Sequence, residues 1–499
     1  MAKKNLRPLK IAGRIIIVIW VVMIGLLIKR NYFKPAPSLL HPELRGGIME
    51  VKEAWMGIYL KGEKIGYSVS RINKTEKGYE FNEQALIDLT VMGTPQKIST
   101  TLESVVNQDL SLKSFLFHLA SGVTRFIVSG QVDGKELRLR INTGGKTEIK
   151  RVELKDTPYL SYHVKPFLFE KGMAVGKRFR QQFFDPSTLS NNEVLLEVEG
   201  KEKAAVKGKE ITVYRIRESF KGFTVTSWVG EDGETVKEES PLGFVLKKET
   251  KEEALSGLPK GGGTDIISMS AVPVDSPIYK LHPRYLKVRM KGIGFDPPTA
   301  ERVQGFKVEG GRQSLKGDLL EITQEDLGEF SSYPIPYKKK DLAEYLEPSM
   351  LIQSDDPAIA AEVKEIIGKK RDAKEVIKLL LNWMKENIEK KPTMSIPSAR
   401  EVLKVRVGDC NEHAALFAAF ARSAGIPTKI CGGIVYSQGN FFYHAWTEVF
   451  LNGWVSTDPL MNQFPADATH IRLVEGDLDK QLPLLGLLGK LKIEVMRYR

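Results

Sequence analysis

Two cysteines in 499 residues, Cys410 and Cys431, are too few for a disulfide scaffold. They could pair with each other, but a thiol needed for chemistry argues against it. No cluster with zinc-ligand spacing is present either, since Cys431, Asp409, Glu412, His413 and His444 do not fall in such a pattern, so no metal is expected. Repeats of solenoid length are missing. So are interleaved basic and aromatic motifs, which excludes nucleic acid as the natural partner. Charge of one sign does not accumulate: 74 basic and 62 acidic residues give a net +12, and the lysines are scattered among acids over most of the chain. That pattern reads as a solvated surface, although the sign suits an anionic membrane or an acidic polymer such as cell-wall material. At 42% hydrophobic and 27% charged, the bulk is ordinary globular protein, long enough for about two to four domains.

Long hydrophobic runs are scarce too, with one exception at the N-terminus. Residues 15–28 are apolar throughout, preceded by Lys3, Lys4, Arg7, Lys10 and Arg14 and followed by Lys29, Arg30 and Lys34. Fourteen helical residues span about 21 Å, short of a hydrocarbon core of roughly 30 Å. Ile11, Ala12 and Gly13, with Arg14 and Lys29 snorkelling outward, close most of the gap. A cleavable leader needs small residues just after the run, where Lys29, Arg30, Asn31 and Tyr32 stand instead. An uncleaved signal anchor over 11–30 is therefore expected, with a basic cytoplasmic tail (1–10) and everything beyond it outside the cytoplasm.

Residues 45–255 read as an antiparallel β domain. Leu137, Leu139 and Ile141 alternate with Arg138 and Arg140, the period of two that makes one apolar and one wet face. Asp133-Gly134 and Asp232-Gly233 are hairpin turns between such runs. Leu258-Pro259-Lys260-Gly261-Gly262-Gly263 marks a linker, taken as 256–275. A small β domain (276–340) follows, with alternation at Tyr285–Met290 and Leu319–Ile322. Neither β region contains a catalytic motif, so both read as scaffold, partner-binding or substrate-binding modules. From residue 340 the period turns helical, with Asp356 as N-cap of a helix opened by Pro357 and an amphipathic helix over Ala373–Ile388.

The chemistry concentrates between residues 398 and 459. Cys410 opens an Ala-rich helix that stops at Gly425, with Pro427 beyond. At a helix N-terminus the free N–H groups and the dipole favour a thiolate and can receive an oxyanion. Thirty-four residues on, leaving room for that helix and one strand (Thr428–Val435), His444 sits in an aromatic strand. The turn Asn452-Gly453 folds the next strand back so that Asp458 can lie beside His444. A nucleophile, a base and an orienting carboxylate are thereby supplied in the order Cys, His, Asp. His413, one turn from Cys410, reads as structural; Asp409 and Glu412 read as helix-start caps. Glu448 lies on the face of His444 and is expected to pair with a base. Trp446, Trp454 and Cys431 read as sheet core.

The blocks G-D-C-N-E-H-A-A-L-F (408–417), A-R-S-A-G-I-P (421–427), Y-H-A-W-T-E-V-F (443–450) and W-V-S-T-D-P (454–459) resemble, in order and spacing, the transglutaminase-like superfamily. The resemblance runs from about 350 to 480. It implies an α+β papain-like domain over 345–480, preceded by the largely antiparallel β domains and the anchor and followed by a tail (481–499). It places the nucleophile on Cys410, the general base and acid on His444 and the orienting carboxylate on Asp458, without an organic cofactor. The function so implied is acyl transfer through a Cys thioester: a membrane-anchored extracytoplasmic peptidase or amidase acting on peptides or proteins. Crosslinking with an amine acceptor, and a non-catalytic tethered assembly protein on the same fold, are the alternatives.

Overall fold

The computed structural model describes residues 38–39 and 52–499, apart from 92, 123, 143–146, 155, 161–173, 207, 221–222, 242, 260–264, 266–270, 293–305, 394–395, 397, 478–479, 482–483, 485–486 and 488. The expected cytoplasmic tail (1–10) and anchor (11–30), and much of the linker, lie outside them. Among the described residues no helix is long and apolar enough to cross a membrane.

Strand alternation over the first half builds one fifteen-stranded sheet from two meanders. The first comprises β2–β9: Lys52–Leu60, Glu63–Thr75, Gly78–Val91, Thr94–Asn107, Leu112–Ser121, Thr124–Asp133, Glu136–Asn142 and Thr147–Glu153. The second comprises β10–β15: Arg178–Asp185, Ser190–Val206, Lys209–Phe220, Phe223–Gly230, Thr235–Glu239 and Phe244–Glu249. β15 pairs antiparallel with β2 and joins the two, while β1 (Ser38–Leu39) lies parallel on the edge at β10. The turn at Gly134 takes φ +60° and that at Gly233 φ +79°, which is why glycine closes both hairpins. Leu137, Leu139 and Ile141 face inward as their alternation requires. They share a core with Phe115 and Val128 of the first meander and Phe184, Val194, Leu196 and Ile216 of the second, so the sheet curls back on itself. Short helix α1 (Lys251–Leu255) closes it with a capping box from Thr250 and Glu253.

The second β unit contains β16 (Val272–Pro273), β17 (Tyr285–Lys291), β18 (Gln313–Lys316) and β19 (Leu319–Thr323). Four helices follow: α2 (Pro357–Ile367), α3 (Ala373–Asn387), α4 (Ala399–Val405) and α5 (Cys410–Ser423). As anticipated, Asp356 caps α2, accepting the Ala358 N–H at 2.8 Å. Two-residue strands β20 (Glu389–Lys390) and β21 (Val407–Gly408) pair just before α5. Then come β22 (Thr428–Ser437), β23 (Asn440–Phe450), β24 (Trp454–Thr457) and β25 (Ile471–Glu475). β23 pairs with β22 on one side and, on the other, with β16 at its start and β24 at its end; β25 lies beyond β22.

The last strand, β26 (Lys492–Tyr498), pairs with β17. The segment read from sequence as a tail thus completes the small sheet, in the order β18-β19-β17-β26. Leu286, Val288, Leu320 and Ile493 of that sheet share one core with Ile434, Phe441, Ile471 and Leu473 of the β22–β25 sheet. The small sheet therefore backs the site directly. On the opposite side, α5 is buried all round against α2, α3 and α4; each fully buried Phe417 or Leu416 contributes on the order of 1.5–3 kcal/mol.

Candidate active site

Cys410 is the first residue of α5 because its neighbours stop the helix one residue earlier. Asp409 is extended (φ −98°, ψ −155°) and its carboxylate accepts the Asn411 N–H at 2.9 Å. The Glu412 carboxylate accepts the Asp409 N–H at 3.0 Å, completing a capping box. A Cβ on Gly408 would stand 2.3 Å from the Glu412 Cβ, so only glycine admits this tight entry. Cys410 is half-buried, and the Ala445 N–H hydrogen-bonds to it. Since Ala445 follows His444, the thiol lies beside the imidazole's strand.

His444 Nε2 donates to the ionised Asp458 Oδ2 at 2.7 Å, leaving Nδ1 as its second functional nitrogen. Asp458 is fully buried, and its Oδ1 accepts the Met461 N–H at 2.8 Å. Burial disfavours its charge, but the charge and hydrogen bonds of His444 and a hydrogen bond from His470 outweigh it and hold the carboxyl far below the usual range. The structure thus brings the predicted Cys410, His444 and Asp458 to one place, where α5 meets the β23–β24 hairpin.

The expectation of a resting thiolate meets two opposing effects. Burial first, and then the Asp409 carboxylate, push the Cys410 thiol well above its ordinary value; the Ala445 N–H acts the other way. Asp409 is itself displaced upward by burial and by its contact with Glu412. The free thiol is therefore held neutral.

His413 is fully buried, with Nδ1 against the Asp409 carbonyl at 2.7 Å; burial lowers its pKa and keeps it neutral. Glu448 pairs as expected: Arg472 Nη1 donates to it at 3.0 and 3.1 Å, and Lys429 Nζ lies 3.0 Å away. Cys431 is buried and unpaired with Cys410. Trp446 is core and also a wall, its indole lying 6.0 Å from the His444 ring at 18°. Trp454 is half-buried against Phe450 and Tyr345, beneath the Lys429 ammonium.

One residue at the site escaped sequence reasoning. His470 is fully buried, its Nε2 2.9 Å from Asp458 Oδ2 and its Nδ1 3.3 Å from Asp467 Oδ1. The only sequence signal is a histidine twelve residues past Asp458, and the intervening loop has no period from which to place it. The strand that follows His470 packs closely on Gly433 in β22, where a Cβ would stand 2.0 Å from the Ile471 carbonyl and 3.0 Å from the Trp446 indole.

His444, Asp458 and His470 are the cluster of potential metal donors among the described residues. Their nitrogens sit 2.7 and 2.9 Å from a single carboxylate oxygen, which is direct hydrogen-bond spacing and leaves no room for an ion between them. The arrangement suits proton handling instead.

No curated protein matches the chain in sequence. Among solved structures, similarity extends to a beta-barrel-like protein of a domain of unknown function from Brucella abortus, at 12% identity over 40% of this chain and 94% of that one, TM-score 0.32. A candidate cysteine protease from Cytophaga hutchinsonii matches at 16% identity over 43% and 86%, TM-score 0.26. The periplasmic domain of TgpA from Pseudomonas aeruginosa matches at 18% over 32% and 66%, TM-score 0.22. Likeness at this level assigns no activity. The family model described as the transglutaminase-like superfamily matches residues 360–459, the segment that holds Cys410, His444 and Asp458, and it is to this superfamily that the C-terminal domain belongs.

Proposed function

We propose that the chain is a membrane-anchored, extracytoplasmic cysteine enzyme that cleaves amide bonds of peptides or proteins through a thioester at Cys410. The observation that carries this reading is the 2.7 Å contact between His444 Nε2 and a buried carboxylate, one residue from the N–H that meets the Cys410 sulfur. His444 Nδ1 takes the thiol proton as sulfur attacks the carbonyl carbon. The oxyanion forms at the start of α5, where free N–H groups favour negative charge. His444 then gives its proton to the departing amine, leaving an acyl thioester on Cys410. Water, deprotonated by His444, releases the acid and restores the thiol. Asp458 holds the imidazole in the required tautomer and stabilises its cation. Hydrolysis is favoured over transfer to an amine because water is abundant outside the cytoplasm. The anchor is supported by the apolar run at 15–28 and its basic flanks.

The test is a screen of peptide, protein and cell-wall substrates with the full chain in detergent. Cys410→Ala is expected to abolish amide cleavage while the protein still melts cooperatively, and a mass increment of one acyl group on Cys410 should appear under rapid quench. Undiminished cleavage by the alanine variant would refute the reading and leave a tethered assembly protein, for which the large sheet is the supporting feature.

A further inference from the structure

We propose that His470 is a positioning residue of the Cys410 site: held as an imidazolium between Asp458 and Asp467, it fixes the carboxylate that orients His444. This inference rests on the reading of Cys410 and His444 as nucleophile and base.

The argument is one of donors and acceptors. Asp458 Oδ1 accepts a backbone N–H, from Met461 at 2.8 Å, and Oδ2 faces two imidazole nitrogens. Asp467 Oδ1 accepts the Thr469 N–H at 2.9 Å and its hydroxyl at 2.5 Å. Asp467 Oδ2 accepts from Gln463 Nε2 at 3.0 Å and meets His282 Nδ1 at 3.0 Å. Both carboxylates are thus surrounded by donors and serve as ionised acceptors. His470 presents Nε2 to one and Nδ1 to the other, at 2.9 and 3.3 Å. A neutral imidazole has a single N–H and would aim a lone pair at one carboxylate; two N–H groups satisfy both. Burial opposes the charge, but the hydrogen bonds and charges of the two aspartates prevail and raise the His470 pKa.

The ring has no freedom to leave. It is fully buried, and the Trp446 indole packs edge-on against it at 5.3 Å and 80°. Arg312, paired with Glu325, reaches from the small sheet to the His470 carbonyl at 3.3 Å. The charged or titratable groups facing His470 are therefore Asp458, Asp467 and His444, with Arg312 and Glu325 behind them. His282 bonds to the far oxygen of Asp467 and is mostly exposed. The Met461 N–H holds Oδ1, and without His470 the other oxygen would answer to His444 alone; with both imidazoles on Oδ2 the carboxylate is fixed at each oxygen. The same cation favours the Cys410 thiolate, so its loss should move that ionisation to higher pH.

Iodoacetamide labelling of the full chain against pH tests this, with peptide mass separating Cys410 from Cys431. His470→Gln is expected to raise the Cys410 midpoint by roughly half to one pH unit. It should also lower kcat for amide cleavage by roughly 10²-fold, with KM little changed, because the base is misplaced. Asp467→Asn, which loosens the anchor behind the ring, should shift the midpoint in the same direction by less. Should His470→Gln fail to fold, nitrogen NMR of the histidine-labelled wild-type protein decides instead. Protonation of both His470 nitrogens at neutral pH supports the proposal, and a single protonated nitrogen overturns it. A midpoint that moves in His444→Ala but not in folded His470→Gln defeats this inference alone. A midpoint indifferent to His444→Ala defeats the reading of the site on which it rests.

Discussion

At Cys410 two local influences pull in opposite directions. The start of α5 favours negative charge on sulfur, while burial and the adjacent Asp409 carboxylate favour the thiol, and the second pair prevails. In the mechanism proposed above, the thiol stays protonated until His444 takes its proton. Asp409→Asn keeps a side-chain cap for α5 but removes the neighbouring charge, so the Cys410 labelling midpoint should fall, by roughly one pH unit. Iodoacetamide rates across pH measure it, and a midpoint that stays or rises would show that Asp409 does not hold the thiol neutral. The same residues show what a sequence can convey. Cys410, His444 and Asp458 were legible because each sits at a marked point of a helix or hairpin. His470 was not, because the eleven residues between Asp458 and it have no period.

At the scale of elements, the hairpin β23–β24 and the strand pair β22–β25 carry the site, and their fit depends on side chains that perform no chemistry. Glu448 binds Arg472 and Lys429 in a buried cluster completed by Glu475. Glu448→Ala leaves two cations with one carboxylate and should cost about 3–5 kcal/mol, read from urea denaturation. A loss below about 1 kcal/mol would mean the cluster is effectively solvated. Gly433 is the other point of fit. In Gly433→Ala the new methyl would meet the Ile471 carbonyl at 2.0 Å, separating β22 from β25 and carrying His470 away from Asp458. The expected loss is about 1–3 kcal/mol, together with the upward midpoint shift of His470→Gln. Stability lost without a midpoint shift would uncouple the β22–β25 register from the thiol.

At the scale of the molecule, the C-terminal strand β26 ties the end of the chain to the small sheet, whose core is that of the papain-like sheet. The buried His-Asp network gives this assembly a pH window. Asp458 and Asp467 have depressed pKa values, so their contribution is present above the unfolded carboxylate value of about 3.9 and is lost as pH falls toward the folded values. His470 has a raised pKa, so its contribution is complete below the unfolded value of about 6.5 and is lost as pH rises through the folded one. Melting temperature should therefore be greatest at mildly acidic pH and decline on both sides. In His470→Gln the alkaline decline should flatten, and an unchanged alkaline limb would place its origin elsewhere.

What the sequence by itself determined is local in origin. Alternation with Asp-Gly turns specified the long antiparallel meanders, and capping residues with an Ala-rich run specified a helix headed by Cys410. The hairpin at Asn452-Gly453 brought Asp458 back toward His444. Each follows from interactions among residues close along the chain, where propensity and period are decisive. The tertiary structure alone decided that β15 joins two meanders into one curled sheet and that the final strand completes a sheet begun some 200 residues earlier. It also decided that His470 comes to share Asp458 with His444 and that Ile471 packs closely on Gly433. Those pairings depend on which apolar faces meet and on where a missing Cβ lets backbones approach, and neither quantity is written in a local pattern.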